Sequence, residues 1–503
     1  MEGFKPHAKK SSDDDKKQQN SLKDIMEQAL KSSDFHQFSP VEKIVISYYK
    51  SLINEEKINQ FLIKEIQKHI DMINNLQDIK NILPFDEVKI TNDTQIVEDK
   101  LIKGFVVVQL KNNGNDFILV NVSNVQMGHR KNNDTENEFS VVGPKVGFVE
   151  NIDINIHLLR QQVAVSNLVI EEITIGNVSK TKVAIAYLDG VTNPRQIETV
   201  KQRLNDINLD VVYDSSLLDQ IISDNSNTIF PLFLSSERID RITYAISLGQ
   251  VAIISDGSPY VISGPTTILD YFISPEDYFL PWILGSFFRI ARICSVFFSI
   301  FATSLYVAVL TYHFEVIPEK LLEPLVISRA NVPFPPVMEV IFLEITIELL
   351  REAGARLPAK IGQTLGIVGG IVIGQATVEA ALTSSILLII VALSALASFT
   401  TPIFKMANTI RVLRFPFIIL AAIWGGLGIV AGILFLMGHL LRLKSLGTPY
   451  LVPLFPFRTG SFADSIIRSS YKKINMRNKS LKPLSLIRYE PSEDMEDINH
   501  EES

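Results

Sequence analysis

The sequence predicts an α/β soluble region of two subdomains joined to an α-helical integral membrane domain. Three observations predict it. Residues 361–404 are 44 consecutive positions with one charge, Glu379. Before Pro281 no apolar run approaches the roughly 20 residues that cross a bilayer, and the patterns there mix strand and helix periods. Residues 442–488 hold ten Lys/Arg against one acid, Asp464, and residues 490–502 hold seven acids and no Lys or Arg. A basic segment just after a span favours the cytoplasmic side.

The elements follow in chain order. Residues 1–38 read as a disordered arm with one short helix at 22–30, and no apolar core of a signal peptide precedes it. The first α/β subdomain is expected over 39–156. In it, 41–82 has helical spacing (Ile44, Tyr48, Leu52, Phe61, Ile66, Ile70, Ile73), and 105–110 with 117–120 form a hairpin about Asn112–Gly114. Residues 129–139 are polar and read as a loop. The second α/β subdomain covers 157–280. Val183 to Leu188 is a strand, Asn193 caps a helix with Pro194 at its first position, and 209–213 reads as a strand. Asp214 caps the next helix, 236–248 is a helix stopped at Gly249, and 251–262 is a hairpin.

The membrane domain is expected over 281–445, with spans at about 293–312, 361–378, 380–404 and 415–439. Four spans place both termini in the cytoplasm, but they leave Lys405, Arg411 and Arg414 on the outer side, against the positive-inside trend. Residues 332–350 open on Pro333, Pro335 and Pro336 and carry Glu339, Glu344 and Glu348. Carboxylates in a lipid-exposed span cost roughly 2.5–3.5 kcal/mol each at its centre, so this segment is expected to be interfacial or re-entrant. Residues 446–503 form a cytoplasmic tail, basic and then acidic.

Gly362, Gly366, Gly370 and Gly374 fall one per turn on a single helix face, a pattern that lets helix backbones approach closely, within a chain or between chains. Glu379 is either a group in a surface turn or a cation-attracting group at a pore mouth. Gln375 and Thr364, off the glycine stripe, are the polar candidates beside it. Arg351 and Arg356 can pair with the glutamates around them. Net charge of −7 argues against nucleic acid as a partner. One cysteine, Cys294, excludes an internal disulfide. No histidine pair has metal-ligand spacing, and no phosphate-binding or nucleophile-elbow motif is present, so no metal, cofactor or enzymatic activity is expected.

Several stretches carry a specific likeness. They are 143–148 (GPKVGF), 274–278 (SPEDY), 333–339 (PFPPVME), 348–358 (ELLREAGARLP), 361–370 (IGQTLGIVGG), 373–376 (IGQA), 413–416 (LRFP) and 447–451 (GTPYL). In this order they resemble the A subunit of GerA-type spore germination receptors. The resemblance implies a multi-pass protein of the spore inner membrane that acts with a transporter-like B subunit and a lipoprotein C subunit. It implies self-association as a ring, a pentamer, that forms a nutrient-gated cation channel contacting membrane lipid. Glu379, Gln375 and Thr364 are then the pore or gating candidates, the glycine stripe the packing interface. The segment with Pro333, Pro335, Pro336, Glu339, Glu344, Glu348, Arg351 and Arg356 is the coupling element. A non-conducting scaffold and a secondary transporter are the alternatives; the latter needs internal repeats, and none is evident.

Overall fold

The computed structural model describes residues 22–73, 75–85, 87–111, 116–123, 138, 142–457, 464–469 and 475–488, with the side chains of 22–24 and 359–368 excepted. The expected loop at 129–139, the Asn112–Gly114 turn, residues 1–21 and the acidic tail beyond 488 lie almost wholly outside them.

The first subdomain is an antiparallel sheet of five strands with helices on its faces. The strands are β1 (Phe35–Val41), β2 (Ile44–Tyr49), β3 (Val88–Thr91), β4 (Phe105–Leu110) and β5 (Phe117–Asn121), in the order β1-β2-β4-β5-β3. Helix α1 (Leu22–Ala29) precedes it. Helices α2 (Glu55–Lys57) and α3 (Lys64–Lys68) flank a π turn at Ile58–Ile63, and α4 (Leu76–Ile82) and α5 (Thr94–Ile102) complete the layer. One sheet face (Ile46, Val106, Val108, Ile118, Val120) packs on Ile58, Leu62, Ile66 and Ile79.

Helix α1 falls on the short helix expected at 22–30, and two expectations change here. The end of the N-terminal arm belongs to the sheet, since β1 starts at Phe35. The helical reading of 41–82 fails at its start, where Ile44–Tyr49 pairs with both β1 and β4. Ile44, Ile46 and Tyr48 recur at two as well as at four, and a central sheet position decides between those periods.

The second subdomain repeats the architecture. Helix α6 (Ile152–Gln162) precedes β6 (Leu168–Ile175), β7 (Thr181–Leu188), α7 (Pro194–Asn205), α8 (Ser215–Ile222), β8 (Leu234–Ser236), α9 (Ile239–Ser247), β9 (Val251–Ser255) and β10 (Val261–Gly264). The sheet order is β6-β7-β9-β10-β8, again antiparallel. The Asn193 side chain accepts from the Arg195 N–H and Asp214 from the Ser216 N–H, so both predicted caps form. Residues 209–213 are not a strand; Leu209 and Asp210 carbonyls instead accept from the Asn177, Val178 and Ser179 N–H groups of the β6–β7 turn.

A short helix, α10 (Glu276–Phe279), leads into six longer ones: α11 (Trp282–Tyr312), α12 (Glu319–Arg329), α13 (Pro336–Ala355), α14 (Ala359–Glu379), α15 (Ser385–Ser398) and α16 (Phe404–Arg442). Among the described residues two helices, α11 and α16, are long and apolar enough to cross a membrane. The last, expected as a single pass at 415–439, begins at residue 404 and is broken at Gly425, whose φ of 59° and ψ of −135° suit only glycine. Its two arms fold back on each other. A Cβ at Gly432 would lie 2.6 Å from the Phe417 ring, and one at Gly428 would lie 2.0 Å from the Leu420 carbonyl, so these glycines permit the close approach. Both ends of α16 therefore face the soluble region: Lys405 pairs with Asp219 of α8, and His439 hydrogen-bonds Thr228 at 3.0 Å.

The same logic orders the other helices. Helix α11 leaves the soluble region, where Arg289 and Arg292 pair with Asp277, and ends where the Tyr312 hydroxyl donates to the Ala422 and Ile423 carbonyls beside the Gly425 break. Helix α13 returns, with Glu339 at the distal end and Arg351 reaching Asn408 at the proximal end. It runs the length of the bundle, where an interfacial or re-entrant segment is expected from its charges. Helix α15 is 14 residues long, shorter than the expected 380–404, because Ser384 caps its start and the chain turns at 399–403. Lys405, Arg411 and Arg414 thus lie on the soluble-domain half of the bundle.

One hydrophobic cluster joins the two regions. It includes Val183, Ile185 and Ile253 of the second sheet, Val296 and Ile300 of α11, and Ile403, Met406, Phe417 and Leu443.

Candidate functional site

The bundle buries charge. Glu344 of α13, 4% exposed, pairs with Arg414 of α16, 3% exposed, at 3.1 Å. Arg414 also donates to Ser299 Oγ at 2.6 Å and to the Ser394 carbonyl at 2.9 Å, while Ser394 Oγ donates to the Ser299 carbonyl at 3.0 Å. Helices α11, α13, α15 and α16 therefore meet at one guanidinium. Removing two ions from water is costly and is offset only by close geometry and further hydrogen bonds; Arg414 has both.

Toward the distal end, fully buried Glu339 pairs with Arg329 of α12 at 2.8 Å and accepts from the Ser384 N–H at 3.2 Å. Tyr306 and Ser384 share a hydrogen bond of 3.1 Å beside it. Toward the proximal end, Glu348 pairs with Arg351, which donates to Asn408 at 3.4 Å. Glu339, Glu344 and the Glu348–Arg351 pair, all in the expected coupling segment, thus mark three levels of the bundle. Pro335 and Pro336 start α13, the Phe334 carbonyl between them and Pro333 accepts from Arg329 at 3.3 Å, and Arg356 pairs with Glu352 at the exposed end.

The pore candidates are elsewhere. Glu379, at the distal end of α14, accepts a 2.9 Å hydrogen bond from Gln375, and both are exposed. Helix α14 packs chiefly on α13 and leaves Ile371, Val372 and Ile373 exposed. In the glycine stripe, Gly374 faces Leu388 at ordinary contact distance, whereas a Cβ at Gly370 would meet nothing within 4 Å. The stripe therefore divides between an intrachain contact and an open position. The side chain of Thr364, with Gly362 and Gly366, lies outside the described residues. Among the described residues no cluster of metal-ligand type occurs.

The base of the bundle holds a second charged group. Asp277 accepts from Arg289 at 3.2 Å and from Arg292 at 3.1 Å, and Asp464 of the tail accepts from Tyr244 and Tyr278 at 3.0 and 2.7 Å. Burial, then the neighbouring Tyr244 and Asp464, holds the Tyr278 hydroxyl well above its ordinary pKa, so it remains a donor. Burial also raises the Asp219 carboxyl, against the pull of Lys405. Between the subdomains, Arg160 grips Asp34 with two bonds of 2.6 Å and stacks on Tyr49.

That Arg414 is the partner of Glu344 is signalled in the sequence only by the positive-inside violation: cations that a four-span topology places wrongly require another partner or another topology. The family model described as Bacillus/Clostridium GerA spore germination protein matches residues 16–480. The chain belongs to the GerA family of spore germination proteins. It is 46% identical to spore germination protein GerQA of Bacillus cereus over 94% of this chain and 95% of that one, and 46% identical to GerIA of the same organism over 92% and 70%. Spore germination protein A1 of Bacillus subtilis (strain 168) is 38% identical over 84% and 87%. Among solved structures, the N-terminal domain of the A subunit of the Bacillus megaterium spore germinant receptor GerK3 is similar, with a TM-score of 0.37 and 23% identity over 48% of this chain and 92% of that one. These GerA relatives are named as germination proteins, and none of them as an enzyme.

Proposed function

We propose that this GerA protein is the A subunit of a spore nutrient germinant receptor, a multi-pass subunit of the spore inner membrane that associates with copies of itself, as a pentameric ring, to form a nutrient-gated cation channel. It acts with a transporter-like B subunit and a lipoprotein C subunit. The observation that carries this reading is the uncovered face of α14. An apolar helix that exposes a carboxylate and an amide on one side and leaves an open glycine on another needs water, a partner or both. A ring supplies the partner at Gly370 and a water-lined path at Gln375 and Glu379. The buried pairs on α13 would then hold one packing of the bundle, and nutrient binding would favour another by its differential affinity for the two. Reconstitution of the receptor in liposomes tests it. Nutrient-triggered cation flux is expected with this subunit present and none without it; normal assembly with no flux would leave a scaffold instead.

A further inference from the structure

A cleft opens between the two arms of the α16 hairpin. It has a volume of about 600 Å³, within the range of ligand pockets. Its walls are almost wholly apolar, with Phe417, Leu420 and Trp424 on one arm and Phe435 and Leu436 on the other. Its proximal end is polar: Thr228, from the loop leading to β8, is hydrogen-bonded to His439 at 3.0 Å there. Beyond His439, Arg442 lies one turn further along the same helix face, and Lys444 follows; both are exposed. No carboxylate lines the cleft among the described residues.

On the first arm the lining runs from Leu413 to Trp424, beside the distal Gly425 break, about 16 Å at the helical rise. On the second it runs back from Ala431 to His439, about 12 Å. The cleft thus descends from the soluble-domain side past the middle of the bundle, as an extended acyl chain does from its headgroup. The polar mouth lies on the soluble-domain side, level with the bundle's cations, where anionic headgroups would meet Arg442 and Lys444.

We infer that the α16 hairpin cleft binds one acyl chain of an anionic phospholipid from the leaflet beside the soluble domain, with its headgroup at Arg442 and Lys444. This rests on the reading that the bundle sits in a bilayer. Occupancy would bear on the 227–230 loop through His439, so the site joins the bilayer to the second subdomain.

The chain has two tryptophans, Trp282 and Trp424, and the second lines the cleft. The full chain with Trp282→Phe is placed in phosphatidylcholine vesicles doped with brominated phosphatidylglycerol or with brominated phosphatidylcholine. Trp424 quenching should favour phosphatidylglycerol by roughly thirtyfold in apparent affinity, the worth of two cations beside the headgroup. The preference should vanish in the exposed double variant Arg442→Gln/Lys444→Gln, and quenching should fall in Ala431→Phe, which fills the cleft. Equal quenching by both lipids overturns the site while leaving the membrane reading intact. Quenching by neither overturns the membrane reading itself. A preference seen in the isolated chain but lost in the assembled receptor would mean that a partner covers the cleft, and would overturn the lipid assignment.

Discussion

At the scale of residues, paired buried charge decides the account. Glu344→Ala leaves Arg414 unpaired among apolar helices, and breaking a buried pair in this way costs about 3–5 kcal/mol. The variant should melt earlier in detergent than wild type, and Glu344→Arg with Arg414→Glu should recover part of the loss. If the single variant melts with wild type, the pair does not organise the bundle. Asp34 makes a pH-dependent contribution. Burial alone would raise its carboxyl, but the Arg160 charge and the bonds from Arg160, Ser51 and Ser32 outweigh burial and hold it below 3.8. A carboxylate depressed in the fold stabilises fully above its unfolded value and loses that stability as pH falls through its folded value. Asp34→Asn should therefore destabilise by about 3–5 kcal/mol at neutral pH, and its deficit should shrink as pH drops below 3.8. A deficit constant with pH, measured by thermal melts, would contradict that sign. Glu379 is different because it is exposed: Glu379→Gln should leave stability unchanged and lower cation flux at low salt, where screening is weakest.

At the scale of elements, much was legible and the misses have causes. The hairpin of β4 and β5, the caps at Asn193 and Asp214, and the strand at Val183 to Leu188 follow from local chemistry. The strand at Ile44–Tyr49 was not legible, because its apolar spacing suits a helix too and only its neighbours β1 and β4 select the strand. The course of α13 was hidden for another reason: its glutamates look prohibitive until Arg329 and Arg414 are known to face them. The break in α16 lies in a run with no polar turn residue, marked only by Gly425 and Gly426. Gly425→Ala puts a side chain at a strained φ and 2.9 Å from Tyr312, so a loss of about 1–3 kcal/mol is expected, read as lower melting and lower yield of folded protein. Gly370→Leu should disturb the single chain little, since a Cβ there meets nothing within 4 Å, but should hinder self-association by an overpacking cost of about 1–3 kcal/mol. Unchanged oligomer mass and unchanged germination would remove Gly370 from any interface.

At the scale of the whole molecule, the soluble sheet and the helical bundle share one apolar cluster and the Lys405–Asp219 ion pair. In the proposed membrane reading, α11, α13, α14, α15 and the two arms of α16 run alternately away from and back toward the soluble region, which would put Lys405, Arg411 and Arg414 on the side of the soluble domain and the basic tail, as the positive-inside trend favours. Cysteine accessibility tests this arrangement most directly. In a Cys294→Ser background, single cysteines are placed at Thr400 and at Glu315, both exposed and at opposite ends of the bundle, and intact cells are treated with an impermeant thiol reagent. The account predicts labelling at Glu315→Cys and none at Thr400→Cys until the membrane is opened. Labelling of Thr400→Cys from outside, as four spans would require, would contradict it.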